Sequence, residues 1–224
     1  MFRKIMWVVS VLNVVASAVV LALHPQSIVP IHFGVNGQPD NWGNKWILLS
    51  LAVLPLFAAI VYEVYMLYDQ KNVATHKNRE VGNKLMPSLE LFLVTFNWIM
   101  LAIMLSRNAE DKTSFETGAI AWTIVAMGLF IMVIGRFMDK IQPNGWLGIR
   151  TPWTLKSKIV WRKTHQFTRI VWLFAGLAMV IWGAMCWFFP VSITILFTVF
   201  FLILFIMALI PIIYSWRFFK NLNC

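Results

Sequence analysis

Six apolar runs separated by short polar segments set the pattern along the chain: Ile5–Leu23, Trp46–Tyr68, Leu85–Leu105, Ala119–Met138, Trp172–Phe189 and Val191–Tyr214. Crossing the hydrocarbon of a bilayer takes about 20 mostly apolar residues, and each run is near that length. No water in lipid can satisfy a bare backbone N–H or C=O, so each run must be a helix. The pattern predicts an all-α membrane protein with six transmembrane helices, leaving no soluble domain of useful size. Arg3 and Lys4 precede the first run as they would in a signal peptide. That run is too long for a signal-peptide core, however, and Leu21-Ala22-Leu23 is a poor cleavage site, so an uncleaved anchor is expected.

The polar segments differ in character. In the first, Ile28, Val29, Ile31 and Phe33 favour extended backbone, and Asn36-Gly37 and Pro39-Asp40 are turn dipeptides. They predict a short extended arm with a tight turn, with Trp42 and Trp46 at the lipid headgroups. The second segment is polar and basic and is expected to extend its flanking helices into water. The last two spans are joined only by Phe189-Pro190-Val191, which makes them an antiparallel pair. Two units follow: residues 1–70, two spans with a structured outer loop, and residues 71–224, four spans with a basic, tryptophan-rich loop at 139–169.

Composition agrees with the pattern. The chain is 60% hydrophobic and 12% charged, against about a quarter charged in soluble domains. A net charge of +10 raises the question of nucleic acid. The charges answer it by their placement, because nearly all of the 19 Lys and Arg fall in alternate segments. That asymmetry puts these segments, and both termini, in the cytoplasm. The basic balance is thus a topology signal, and no direct nucleic-acid contact is expected. Cys186 and Cys224 then lie toward opposite sides and cannot pair.

Small residues recur every seven positions, at Ala121, Gly128 and Gly135 and again at Gly176 and Gly183. Such stripes let helices approach closely in lipid. Asn13, Ser17 and Asn97 are polar within spans and are expected to bond between helices. Glu63 and Glu90 are the acids within spans, each one to two turns from the cytoplasmic end. An intramembrane acid marks a functional site or a buried pair; Arg3, Lys4 or Arg136 are the cations within reach. His24, His32 and Asp40 share the outer loop. They could bind zinc, although a structured loop bonded to its own backbone is the plainer reading. No nucleophile elbow, phosphate loop or helical zinc motif occurs, and His76 and His165 lack a nucleophile partner. Nothing argues for an enzyme, a cofactor or a resident metal.

Residues 144–167 read NGWLGIRTPWTLKSKIVWRKTHQF, basic and tryptophan-rich between two spans. Thr151-Pro152 suggests a helix start, with proline at the first helical position. Trp153, Val160 and Phe167 recur every seven residues, flanked by Lys156, Lys158, Arg162 and Lys163. An interfacial helix with its cations on anionic lipid is one reading. A docking platform for a cytoplasmic partner is the other.

The run Trp146-Leu147-Gly148-Ile149-Arg150-Thr151-Pro152-Trp153-Thr154-Leu155-Lys156, followed by Val160-Trp161 and Phe167, resembles the signature of the SdpI family. The six-span layout and the tail Lys220-Asn221-Leu222-Asn223 resemble that family too. In the outer loop, Pro30-x-His32, Gly37, Asp40, Trp42, Gly43 and Lys45 resemble a second bacterial membrane domain of unknown function. The resemblance implies a multi-pass protein of a bacterial plasma membrane that gives immunity to a secreted peptide toxin. It also implies a receptor that holds a cytoplasmic autorepressor, a transcriptional repressor, at the membrane. On that reading His32, Gly37, Asp40, Trp42 and Lys45 face the toxin. Trp146, Gly148, Arg150, Thr151, Pro152, Trp153, Leu155, Trp161 and Phe167 form the cytoplasmic platform for repressor or lipid. The alternative is a small transporter using Glu63 and Glu90.

Overall fold

The structure, a computed structural model, describes residues 2–34, 37–70, 78–106, 117–144, 147–189 and 191–222. Helix α1 (Phe2–Leu23) leads into a hairpin of β1 (Ile28–Phe33) and β2 (Pro39–Asn44). A 3₁₀ turn at Lys45–Leu48 then enters α2 (Leu49–Gln70). Helices α3 (Arg79–Leu105), α4 (Thr117–Met138), the short α5 (Pro152–Lys156), α6 (Lys158–Phe188) and α7 (Ile193–Leu222) complete the described chain. Six helices, all but α5, are long and apolar enough to cross a membrane, and the chain is a multi-pass membrane protein.

The helices outrun the apolar runs that reveal them. Helix α3 starts at Arg79 rather than Leu85, α6 at Lys158 rather than Trp172, and α7 ends at Leu222 rather than Tyr214. Hydrophobicity marks the part of a helix in lipid, whereas the hydrogen-bond ladder continues into water until a cap or turn ends it. Pro55, Pro87 and Pro211 lie inside α2, α3 and α7 without ending them, a tolerance common within membranes.

The small-residue stripes face one another. A Cβ built on Gly128 would lie 2.6 Å from the carbonyl oxygen of Gly176, and one on Gly176 equally close to that of Gly128. A Cβ on Gly183 would lie 2.7 Å from the carbonyl oxygen of Ala121. Helices α4 and α6 therefore meet backbone to backbone, and α7 packs beside them through Leu196 and Met207.

Two apolar clusters define opposite ends. Leu21, Val29, Leu48 and Leu101 join the end of α1, the hairpin, the 3₁₀ turn and the end of α3. Val81, Leu85, Met138, Ile141 and Trp161 join the starts of α3 and α6 to the end of α4. The hairpin covers one end of the bundle, and the tryptophan-rich segment covers the other.

Candidate functional site

The tryptophan-rich segment folds into a cap. The Thr151 side chain accepts from the backbone N–H of Thr154 at 3.3 Å, and the Thr154 hydroxyl accepts from the N–H of Thr151 at 2.9 Å. This reciprocal box starts α5, with Pro152 at its first position, where a missing N–H costs nothing. The helix lasts five residues. Ser157 is extended, and its hydroxyl accepts from Val160 N–H to start α6. The expected helix from Pro152 toward the fifth span is thus two helices with a break, because Ser157 caps the second.

Beneath α5 sits a side chain that the pattern did not single out. His165 is fully buried and stacks on Trp161, with ring centroids 4.2 Å apart. Its Nε2 accepts the backbone N–H of Ile149 at 3.1 Å. An accepting Nε2 places the proton on Nδ1, which donates to the Trp161 carbonyl at 2.8 Å. Trp161 in turn donates its indole N–H to Ile141 O at 2.8 Å. Gly148 crosses directly over the imidazole with φ +111, and a Cβ there would strike His165 Nε2. This glycine is required twice, by backbone conformation and by close approach.

The cap is tied to its neighbours. Trp153 donates its indole N–H to Ser215 Oγ at 2.6 Å, and Phe167 stacks on Tyr214 at 4.1 Å. Asn78, at the start of α3, bonds both the N–H and the C=O of Gln142, at 2.8 and 3.1 Å. Arg169 pairs with Asp139 at 2.7 Å. The period-seven set of Trp153, Val160 and Phe167 does turn inward, but so does Trp161, which lies off that stripe and is 1% exposed. Among the predicted platform residues, Arg150, Pro152 and Leu155 are exposed, and they adjoin exposed Lys156, Lys158, Ile159 and Arg162. Gly148, Thr151, Trp153, Trp161 and Phe167 build the cap from within. Trp146 lies outside the described residues.

At the other end the hairpin register slips on both sides of His32, and such irregularities re-aim side chains. His32 Nδ1 comes 2.6 Å from Asp40 Oδ1, and both side chains are exposed. Between this pair and the first turns of α7 lies an open cleft of about 1030 Å³, lined by Phe33, Thr194, Phe197 and Thr198 among others. The remaining outer-loop residues sit within the hairpin and its flanking turns. Gly37 (φ +76) is buried and returns the chain, its N–H bonding to Gly34 O at 2.9 Å. Trp42 pairs across from Pro30. Lys45 points inward, 8% exposed, and donates to His24 O at 2.6 Å, where α1 has just ended. Its charge there meets the negative end of the helix dipole. His24 does not join His32 and Asp40: among the described residues no three His, Cys, Asp or Glu side chains gather to hold a metal.

A polar seam runs along one face of α1. The Trp7 indole donates to Glu63 at 3.4 Å, and the Ser10 hydroxyl donates to Glu90. The Asn13 amide donates to Ala52 O at 3.0 Å, and the Asn97 amide donates to Asn13 Oδ1 at 3.2 Å and Ser17 Oγ at 3.0 Å. The span-buried polar residues do bond between helices. Glu90, for which a cation within reach is one of the expected partners, meets the Ser10 hydroxyl instead. Lys4 and Arg136 are exposed, and the Arg3 side chain lies outside the described ones.

Comparison with known proteins matches both ends of this architecture. The SdpI/YfhL protein family profile matches residues 140–215, the cap with α6 and most of α7. The profile of a domain of unknown function (DUF1648) matches residues 8–59, which hold the hairpin. The immunity protein SdpI of Bacillus subtilis (strain 168) is 25% identical over 219 residues, covering 94% of this chain and 97% of that protein. No solved structure matches. The Gly148–Phe167 cap thus lies inside the segment that the SdpI/YfhL profile matches, and the chain is similar over almost its whole length to an immunity protein.

Proposed function

We propose that this protein is an immunity protein of a bacterial plasma membrane, protecting its cell against a secreted peptide toxin. The observation that carries the reading is the near end-to-end likeness to a protein named for immunity. The placement of Lys and Arg supports a cytoplasmic cap and cytoplasmic termini, with the hairpin outside. On this orientation the cleft beside His32 and Asp40 receives the toxin. Its aromatic wall suits an apolar peptide face, and Asp40 suits a cationic residue. On the opposite side, Arg150, Leu155, Lys156, Lys158 and Ile159 offer a basic surface with apolar members, suited to a cytoplasmic repressor held at the membrane.

The test is survival. The chain is expressed in a sensitive bacterium lacking its own immunity genes and challenged with the toxin that the Bacillus subtilis relative counters. Protection that Asp40→Ala abolishes supports the outer cleft as the working face. Protection that persists in Arg150→Ala while reporter induction fails separates immunity from signalling. No protection, with the protein confirmed in the membrane, overturns the reading for that toxin.

A further inference from the structure

We infer that Glu90 is a proton-binding site within the membrane: a neutral carboxylic acid, held by Ser10, that joins α1 to α3. The inference goes beyond immunity and does not depend on it. Glu90 is 3% exposed and Ser10 is fully enclosed. One carboxyl oxygen meets the Ser10 hydroxyl, whereas the other, Oε2, is enclosed with no hydrogen-bond partner. Seven residues along the same face of α3, the enclosed Oδ1 of Asn97 is also without a partner. Two unmatched oxygens thus look into the seam between α1 and α3.

A carboxylate in that position needs a counter-charge, since removing an ion from water is costly unless it is paired and fully hydrogen-bonded. None is supplied. From α1 the seam offers Trp7, Ser10, Asn13 and Ser17, all uncharged, while Lys4 is exposed. From α2 it offers Tyr62, bonded to Asn83, and Glu63, itself an acid. On α3, Lys84 is paired with Glu80 in the first turns. On α4, Arg136 is exposed. A proton on the carboxyl removes the charge. The acid can then donate to Ser10 Oγ or accept from it, and only an uncharged oxygen is left unmatched. Docking of α1 on α3 and retention of the proton are then one equilibrium: losing the proton sets α1 against a bare charge.

Infrared spectroscopy of the full-length protein in ester-free detergent at neutral pH tests this. The C=O stretch of a carboxylic acid is distinct from that of a carboxylate. A carboxylic-acid band is expected in the wild-type protein and in Glu63→Gln, and it should be missing from Glu90→Gln. Absence of the band from the wild-type protein overturns the proposal, as does its persistence in Glu90→Gln. Should Glu90→Gln fail to insert, Ser10→Ala decides. Loss of the hydroxyl moves the band to higher wavenumber if Glu90 is its source, and an unmoved band overturns the assignment.

Discussion

Trp153 donates its indole N–H to Ser215 Oγ at 2.6 Å, across a sequence separation of 62 residues. That bond fastens the cap to the last helix, and both partners sit within the segment that the SdpI/YfhL profile matches. Losing a neutral hydrogen bond of this kind costs about 1 kcal/mol. Trp153→Phe and Ser215→Ala should each lower the melting temperature of the purified protein in detergent. The double variant should fall little further than either single one. Additive losses would mean that the two side chains do not interact.

Gly148→Ala should be more severe. The new methyl demands a backbone conformation rare for L-residues and strikes His165, so a loss of about 2 kcal/mol or more is expected. His165→Ala removes the obstacle but also the acceptor for Ile149 N–H. Thermal melts of both singles and the double should show the double well short of the summed losses. A Gly148→Ala protein as stable as wild type would sink this account of the motif.

The spans were legible because lipid imposes one length and one composition. The start of α5 was legible because capping is local, with Thr151, Pro152 and Thr154 all within one turn. His165 was not, because its partner Ile149 is 16 residues away around a turn that only a positive-φ glycine can make. Neither were Ser10 on Glu90 or Trp153 on Ser215, whose pairing depends on how whole helices dock. The heptad pattern of Trp153, Val160 and Phe167 assumed one unbroken helix. The buried face of α6 is wider than one heptad stripe and takes in Trp161, Thr164, His165 and Thr168.

Lys45→Met keeps the apolar stem of the side chain and deletes its ammonium group. The carbonyl of His24 then loses a charged donor, and such bonds contribute about 1.5–3 kcal/mol. Limited proteolysis should cut the hairpin faster in Lys45→Met than in wild type, with Lys45→Arg in between. Equal cutting rates would show that the lysine does not hold the hairpin.

Asp40→Ala should behave in the opposite way. The His32–Asp40 pair is exposed on both sides, and exposed ion pairs contribute about 0–1 kcal/mol. Melting should barely change, while the survival conferred on a sensitive host drops. A large fall in melting temperature would assign Asp40 to the hairpin rather than to the toxin.

Gly176→Val tests the contact between α4 and α6. Even a Cβ meets the Gly128 carbonyl oxygen and the Met132 side chain at 2.6 Å, and the valine methyls have nowhere to go. The variant should accumulate poorly and melt far below wild type, with Gly176→Ala intermediate. Wild-type melting of Gly176→Val would rule out backbone contact along the stripe.

Helix α6 has 31 residues, and at 1.5 Å per residue it is about 46 Å long, against about 30 Å of hydrocarbon. Its surplus stands clear of the lipid and carries Trp161 and His165. Because described residues 158 to 188 form one unbroken rod, the cap cannot shift independently of the part within the membrane. A tilt of about 10°, small beside the ordinary spread of span tilts, displaces one end relative to the other by about 8 Å. Cap and bilayer are therefore geared together, and whatever leans on the rod at one surface is felt as travel at the other.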